Sequence, residues 1–324
     1  MTTRYPPLAD LLAEHGLSGA VETPLAHTGF SGATLTHIIR PGGAAFVLKR
    51  MSIDRDWIMC ATDDTACREA AFARASLNLG AAAYTPNLGS AQDGSEYALL
   101  MRDITDDLLP ETAISVEQLD IIMAAMAAIH GGPTPEPHQL PWCDGRQRLL
   151  LLTPRGAAIA KAYGAPVADD LREGWRLFGR YASSGVVRII RGLFDDPSPL
   201  LRTLAEMPPV LLHGDLKLDN IGIAPDGGVW LIDWAMPMLA PPAIELGWFL
   251  AINSRRLPVG LDDVMRRYGE AANVPAADRE RHDALAVLCG LLLRGWRKAL
   301  DAEAGEPEEL RWWCEGTERA VAFL

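Results

Sequence analysis

Between Val210 and Trp234 the chain reads VLLHGDLKLDNIGIAPDGGVWLIDW, which sets His213, Asp215, Lys217, Asp219, Asn220 and Asp233 among runs of strand-forming apolar residues. Polar groups wedged between buried strands are costly unless they are paired or take part in chemistry. "NIGIA" (220–224) and "VWLID" (229–233) flank "PDGG", a strong turn sequence, so the two runs are expected to form a hairpin. With 225–228 as the loop, Ala224 faces Val229 and Asn220 faces Asp233. Directly opposed residues hold their Cβ atoms roughly 4.5–5.5 Å apart. A one-residue slip in register would weaken that pairing. An amide oxygen and a carboxylate at one end of a hairpin make an oxygen-only site of the kind Mg²⁺ takes, with waters and phosphate oxygens completing its shell. Asp215 sits in the loop entering the hairpin, where a short turn can aim it at a reacting hydroxyl. One carboxylate for the metal and one for the nucleophile suits phosphoryl transfer, in which positioning and charge neutralisation supply most of the catalysis.

The elements that must hold these residues can be read on either side. In the first hundred residues, which read mostly as strands and turns, "TLTHII" and "AAFVLKRM" flank "RPGG" and are expected to form a hairpin. "TDDTACREAAFARASLNLG" carries helix punctuation at both ends, and "NLGSAQ" with "YALLMRD" brackets Asp93-Gly94 as a second hairpin. "SVEQLDIIMAAMAAIHGGP" has capping-box spacing at Ser115 and Gln118 and apolar residues at helical intervals. Residues 133–209 read as mixed helix and loop, and helices are expected again from about Pro242 onward.

With 324 residues the chain is long enough for two lobes and a sizeable core. A net charge of −12 with no basic stripe argues against nucleic-acid binding. The five scattered cysteines, without a C-x-x-C pair, point to reduced thiols in a reducing compartment. The N-terminal stretch lacks a signal-peptide core, and "ALAVLCGLLL" is too short to span a bilayer. The expectation is a cytoplasmic protein that binds neither membrane nor nucleic acid.

"HGDLKLDN" followed by "LIDW" closely resembles the catalytic segment of the aminoglycoside phosphotransferase and choline kinase group, small-molecule kinases with a protein-kinase-like fold. The resemblance implies an α+β, bilobal chain. An antiparallel-sheet N-lobe with one helix (residues 1–102) binds nucleotide, and a larger, mainly helical C-lobe (103–324) carries the catalytic loop and the acceptor site. It also implies Asp215 as the base or hydroxyl-orienting group, Asn220 and Asp233 as Mg²⁺ ligands, and Lys217 on the γ-phosphate. His213 reads as a structural hydrogen-bonding residue and Asp219 as a solvated turn residue.

Strand alternation in "AFVLKRM" puts Val47 and Lys49 on one face and Phe46 and Leu48 on the other. Lys49 resembles the family's ATP-binding lysine, with Val47 covering adenine and Glu69 pairing with the ammonium group. Gly29, Ser31 and Gly32 in "HTGFSGATL" are expected to approach the phosphates, the glycines through backbone N–H groups. "YALLMRD" matches the family's hinge, which implies adenine contacts from the backbone of Leu100, Met101 and Arg102. The implied co-substrates are ATP or GTP with Mg²⁺ and a small hydroxyl-bearing molecule such as an amino sugar, aminoglycoside, amino alcohol or sugar. Two alternatives stand beside this one: a nucleotide-binding protein with weak or no catalysis, and a protein kinase. The protein kinase is disfavoured because "IDW" replaces D-F-G and "PPAIELG" follows too soon to leave an activation loop. In that segment Glu245 is either a brace for the catalytic loop or part of a capped, buried helix start.

Overall fold

A computed structural model describes residues 5–26, 29–40, 43–75 and 77–324. The N-terminal part is built on a five-stranded antiparallel sheet of order β1-β2-β3-β6-β5, from β1 (Glu22–Pro24), β2 (Thr34–Ile39), β3 (Ala45–Met51), β5 (Asn87–Asp93) and β6 (Glu96–Arg102). Both expected hairpins form, β2–β3 and β5–β6; Pro41 and Gly42 of the first turn lie outside the described residues.

Three helices accompany this sheet where one was expected: α1 (Leu8–Glu14), α2 (Trp57–Ala61) and α3 (Arg68–Ala75). The run from Thr62 to Gly80 is not one helix, because Asp63 and Cys67 both sit at φ 51°. Helical backbone cannot pass through that left-handed region. The helix therefore starts at Arg68, whose N–H is received by the Asp64 carboxylate at 2.9 Å. α2 escapes a periodicity search because it is a single turn, held instead by the Asp56 side chain accepting from Ile58 and Met59 N–H.

β4 (Ala83–Tyr84) leaves the main sheet and pairs in parallel with β9 (Val229–Leu231), which itself pairs with β8 (Ile221–Ile223). A further two-stranded ladder joins β7 (Val210–Leu212) to β10 (Met238–Ala240). These short strands carry the polar segment and rest on helices. α4 (Val116–His130) opens with the expected Ser115–Gln118 capping box. The stretch read as mixed helix and loop is largely helical: α5 (Gly145–Leu150), α6 (Pro154–Ala162), α7 (Val167–Tyr181), α8 (Ser184–Asp195) and α9 (Ser198–Leu204). After β10 come α10 (Pro242–Asn253), α11 (Leu261–Ala271), α12 (Ala276–Glu303) and α13 (Glu308–Ala320).

The largest apolar core is formed mainly by the helical part, with α10 and α12 supplying a continuous run of buried side chains from Ala243 to Ala251 and from Ala284 to Leu293. Two smaller clusters cover the faces of the five-stranded sheet. Val47, Leu99 and Met101 lie on the face that also bears Lys49, while Leu48 and Leu100 lie on the other, under α1. Trp313 is fully buried in α13, and Trp312 donates its indole N–H to Asp262, so this pair packs the helix rather than presenting a stacking surface. None of the described helices is long and apolar enough to cross a membrane.

Candidate active site

The polar segment folds as a hairpin, but in a register one residue from the expected one. Ile221 pairs with Leu231 and Ile223 with Val229, and Ile232 N–H donates to Asn220 O at 3.1 Å. Asn220 therefore faces Ile232. The loop is three residues, not four, because Gly227 adopts φ 86° and closes it with Gly227 N–H donating to Ala224 O. Asp233 lies one step beyond the ladder at φ 66°, a left-handed conformation that costs a non-glycine residue about 1 kcal/mol or more. That turn brings its carboxylate to the β-sheet lobe, 2.7 Å from Lys49 Nζ.

Lys49 is held from both sides. Its Nζ donates to Glu69 Oε2 at 2.6 Å and to Asp233 Oδ1 at 2.7 Å. Burial alone would lower the lysine pKa, but the two carboxylates outweigh it and raise it. Burial also pushes Asp233 upward; Lys49 and then Lys217 overcome this and hold it well below the usual carboxylate range. Glu69 goes the other way, pushed up to about 7 by burial first, with Lys49 pulling it down and Asp233 pushing it up.

Asp215 is largely buried and lies 3.6 Å from Lys217 Nζ, whose charged form Asp215 favours. Asn220 Nδ2 donates to Asp215 O at 3.0 Å, an assignment that leaves the amide oxygen as an acceptor. His213 serves as a tie rather than a base. Its Nδ1 accepts from Asp215 N–H at 3.2 Å, so its Nε2–H donates to Ile232 O at 2.9 Å, and burial lowers its pKa. Asp219 is not merely solvated: it pairs with Arg256, whose guanidinium also reaches Pro110 O.

The loop is braced from below by residues far along the chain. Glu245 Oε1 accepts from Gly214 N–H at 2.7 Å, and its Oε2 meets His130 Nε2 at 2.9 Å. His130 Nδ1 in turn meets Tyr268 Oη at 2.8 Å. Of the two readings of Glu245, the brace is the one the contacts describe. Asn253 adds a second strut, accepting from Leu218 N–H at 2.9 Å. Trp234 stacks on Phe72 of α3 with ring centroids 4.0 Å apart, and lies 4.4 Å from the His213 ring. One indole thus ties the helix bearing Glu69 to the loop bearing Asp215.

Several expectations shift in the upper wall. Gly32 has φ 109°, and a Cβ there would stand 2.0 Å from Arg55 O; its bare backbone is required by Arg55. Ser31 O accepts from Trp57 N–H, Phe30 O accepts from the Trp57 indole, and Ser31 Oγ accepts from Ala33 N–H. Phe30 and Ser31 are consequently stapled to α2, which nothing in the sequence announced; His27 and Thr28 lie outside the described residues. At the expected hinge, Arg102 N–H donates to Pro86 O, and Asp103 N–H to Ala45 O. The Arg102 donor is thus used within the lobe, and the Leu100 side chain packs on the α1 side of the sheet, away from the cleft. Met101 faces the cleft side beside Val47. The space lined by Ser31, Lys49, Glu69, Asp215, Asp233 and Met236 is about 30 Å³, room for roughly one water molecule.

The family model described as "Phosphotransferase enzyme family" matches residues 42–285, a span that contains β3, the polar hairpin and the Glu245 brace. The chain belongs to this family. Its fold is protein-kinase-like, with an antiparallel-sheet lobe and a helical lobe. A putative fructosamine-3-kinase from Thermobifida fusca YX-ER1 superposes with a TM-score of 0.51 at 20% identity, covering 95% of this chain and 98% of that one. Spectinomycin phosphotransferase APH(9)-Ia, solved with ADP and spectinomycin, gives 0.50 at 15% identity over 98% and 97%. No curated protein matches the sequence.

Proposed function

We propose that the protein transfers the γ-phosphoryl group of ATP (or GTP) to a hydroxyl of a small molecule. The observation that carries this is Lys49, gripped between Glu69 and Asp233 with Asp215 lining the same cleft. Lysine fixed by a helix carboxylate is suited to holding nucleotide phosphates. Asp215, held by backbone and side-chain contacts at a cleft wall, is suited to orienting a hydroxyl and taking its proton. Lys217, 3.6 Å from Asp215, would meet the transferred group.

The donor set fits Mg²⁺. Asp233 spends one oxygen on Lys49, and the amide oxygen of Asn220 accepts no hydrogen bond among the described residues. Both are hard oxygen donors, few in number, as suits an ion that keeps waters and phosphate oxygens. Magnesium bound there would neutralise charge on the transferring phosphoryl group. We assign residues up to 102 to the nucleotide lobe and 103–324 to the catalytic and acceptor lobe. A cytoplasmic setting, where nucleotide triphosphates and reduced thiols occur together, agrees with five free cysteines.

The test is release of ADP from Mg·ATP with a panel of hydroxyl compounds and, in parallel, label transfer to protein substrates. Acceptor-dependent ADP release supports the proposal. Nucleotide binding without turnover of any acceptor would reduce the protein to a nucleotide receptor, and labelled protein would point to a protein kinase.

A further inference from the structure

Two arginines converge on the Trp248 ring behind the Asp215 loop, and neither has an acid in direct contact among the described residues. Arg148 of α5 is 1% exposed; its Nε donates to Gly214 O at 2.6 Å, and neither Nη1 nor Nη2 has a hydrogen-bond partner among the described residues. Its guanidinium lies 4.4 Å from the centroid of the Trp248 ring. Arg294 of α12 approaches the same indole at 5.9 Å and Trp296 at 5.3 Å, and makes no hydrogen bond or ion pair among the described residues. The Asp215 carboxylate attracts both cations, for Arg294 after that of Asp301. Burial depresses both, Arg294 to about 10. Glu245, the other acid near Arg148, has both oxygens committed to Gly214 and His130.

This is not a shortage of acids, since the chain has 42 acidic residues against 30 basic ones. The next cations on α12 are served: Arg297 by Asp301, Lys298 by Glu309. Uncompensated buried charge is expensive, and native structures seldom keep it without a counter-ion or water. The acidic run near the C-terminus, by contrast, has its own cations. Asp301, Glu303, Glu306, Glu308 and Glu309 each already pair with an arginine or lysine.

Resting on the phosphotransferase function above, we propose that the acceptor is an anionic alcohol, such as a hydroxy acid, sugar acid or phosphate ester. Arg294 and Arg148 receive its anionic group beside Trp248 while Asp215 orients its hydroxyl. The acceptor oxygen bonds to the γ-phosphorus, the bond from that phosphorus to the β–γ bridging oxygen breaks to release ADP, and the hydroxyl proton passes to Asp215 and on to solvent.

Binding separates this inference from the transfer reaction itself. Calorimetry on the full chain with Mg²⁺ and a non-hydrolysable ATP analogue would compare gluconate, glycerate and glycerol 3-phosphate with glucose, glycerol and glucosamine. The anionic members are expected to bind more tightly and to weaken with salt. Arg294→Ala is expected to cost at least about tenfold in that affinity. Arg294→Lys should restore part of the loss, and nucleotide affinity should stay unchanged. Arg148→Met should act in the same direction; if it fails to fold, the Arg294 variants carry the test. Neutral or cationic compounds binding as tightly as the anions, or Arg294→Ala leaving anion affinity intact, overturns the inference. Selective anion binding without ADP release would sink the phosphotransferase function, and with it the acceptor role, while supporting the anion site at Arg294 and Arg148.

Discussion

Lys49 Nζ and the Asp233 carboxylate meet at 2.7 Å across 184 residues of chain, joining the five-stranded sheet to the polar hairpin. In the proposed reaction the ammonium group would turn to phosphate, and the carboxylate oxygen not spent on Lys49 would be left for the cation. Asp215, on the adjoining loop, is not part of that contact.

Asp215→Ala is accordingly expected to leave nucleotide affinity nearly intact while kcat falls by about a hundredfold or more. Asp233→Ala should weaken Mg²⁺-nucleotide binding as well. Calorimetric titration with a nucleotide analogue beside steady-state turnover separates the two. Equal loss of nucleotide binding in both variants would contradict the division of labour.

Asp233 also permits a stability test of its backbone. At φ 66° a Cβ is disfavoured, so Asp233→Gly should be more stable than Asp233→Ala by about 1 kcal/mol, since both lose the same ion pair. Denaturant melts of the two variants give the difference directly, and an alanine variant as stable as the glycine one would refute it.

Glu69 sets an acid limb. Its pKa is raised to about 7, so below that pH it gains a proton and its ionic hold on Lys49 weakens. In Glu69→Gln the limb should vanish and the plateau should drop. Stability has the opposite sign: a carboxyl raised on folding favours the folded state at low pH and loses that contribution as pH rises through about 7. The kcat/KM profile for ATP, taken as the ratio of the parent to the glutamine variant, cancels the nucleotide's own ionisation. A flat ratio between pH 5.5 and about 8.5 would exclude Glu69 as the titrating group.

Glu245→Ala strands Gly214 N–H in a buried setting, at a cost of about 1–3 kcal/mol. Because the freed peptide precedes Asp215, kcat should fall further than the loss of stability alone explains. Glu245→Gln keeps an acceptor oxygen and should recover most of the rate. Thermal melts with kcat measured well below each midpoint check this, and identical rates for alanine and glutamine would argue against a positioning role.

Trp234→Ala removes the stacked link to Phe72 and should cost about 3–5 kcal/mol. Trp234→Phe should be milder. A double-mutant cycle with Phe72→Ala measures the coupling, which is expected to be near 1 kcal/mol.

Much of the site was legible because its residues are local. His213 to Asn220 is one loop, Asp233 follows on the next strand, and Lys49 declares its face by strand alternation. What escaped depends on a dihedral or on distance. The hairpin register turned on whether Gly227 would take a positive φ, and the start of α3 on two residues that did. α2 is too short to show a period. The Glu245 brace was one of two readings because its partners, Gly214 and His130, lie 31 and 115 residues away. Arg148 looks in sequence like any arginine on a helix; only the packing of α5 under Gly214 shows that it is sealed in.

The staple between Trp57 and residues 30–31 reaches further than the roof of the cleft. The segment leading into α2 also touches the end of α6, where Tyr163 Oη donates to Ile53 O, and Arg68 at the start of α3 reaches Pro141 O and Gln147. Roof, α2 segment and acceptor-side helices are therefore joined by a chain of hydrogen bonds. Binding of either substrate is therefore expected to change the affinity for the other, a synergy that initial-rate kinetics with both substrates varied would read.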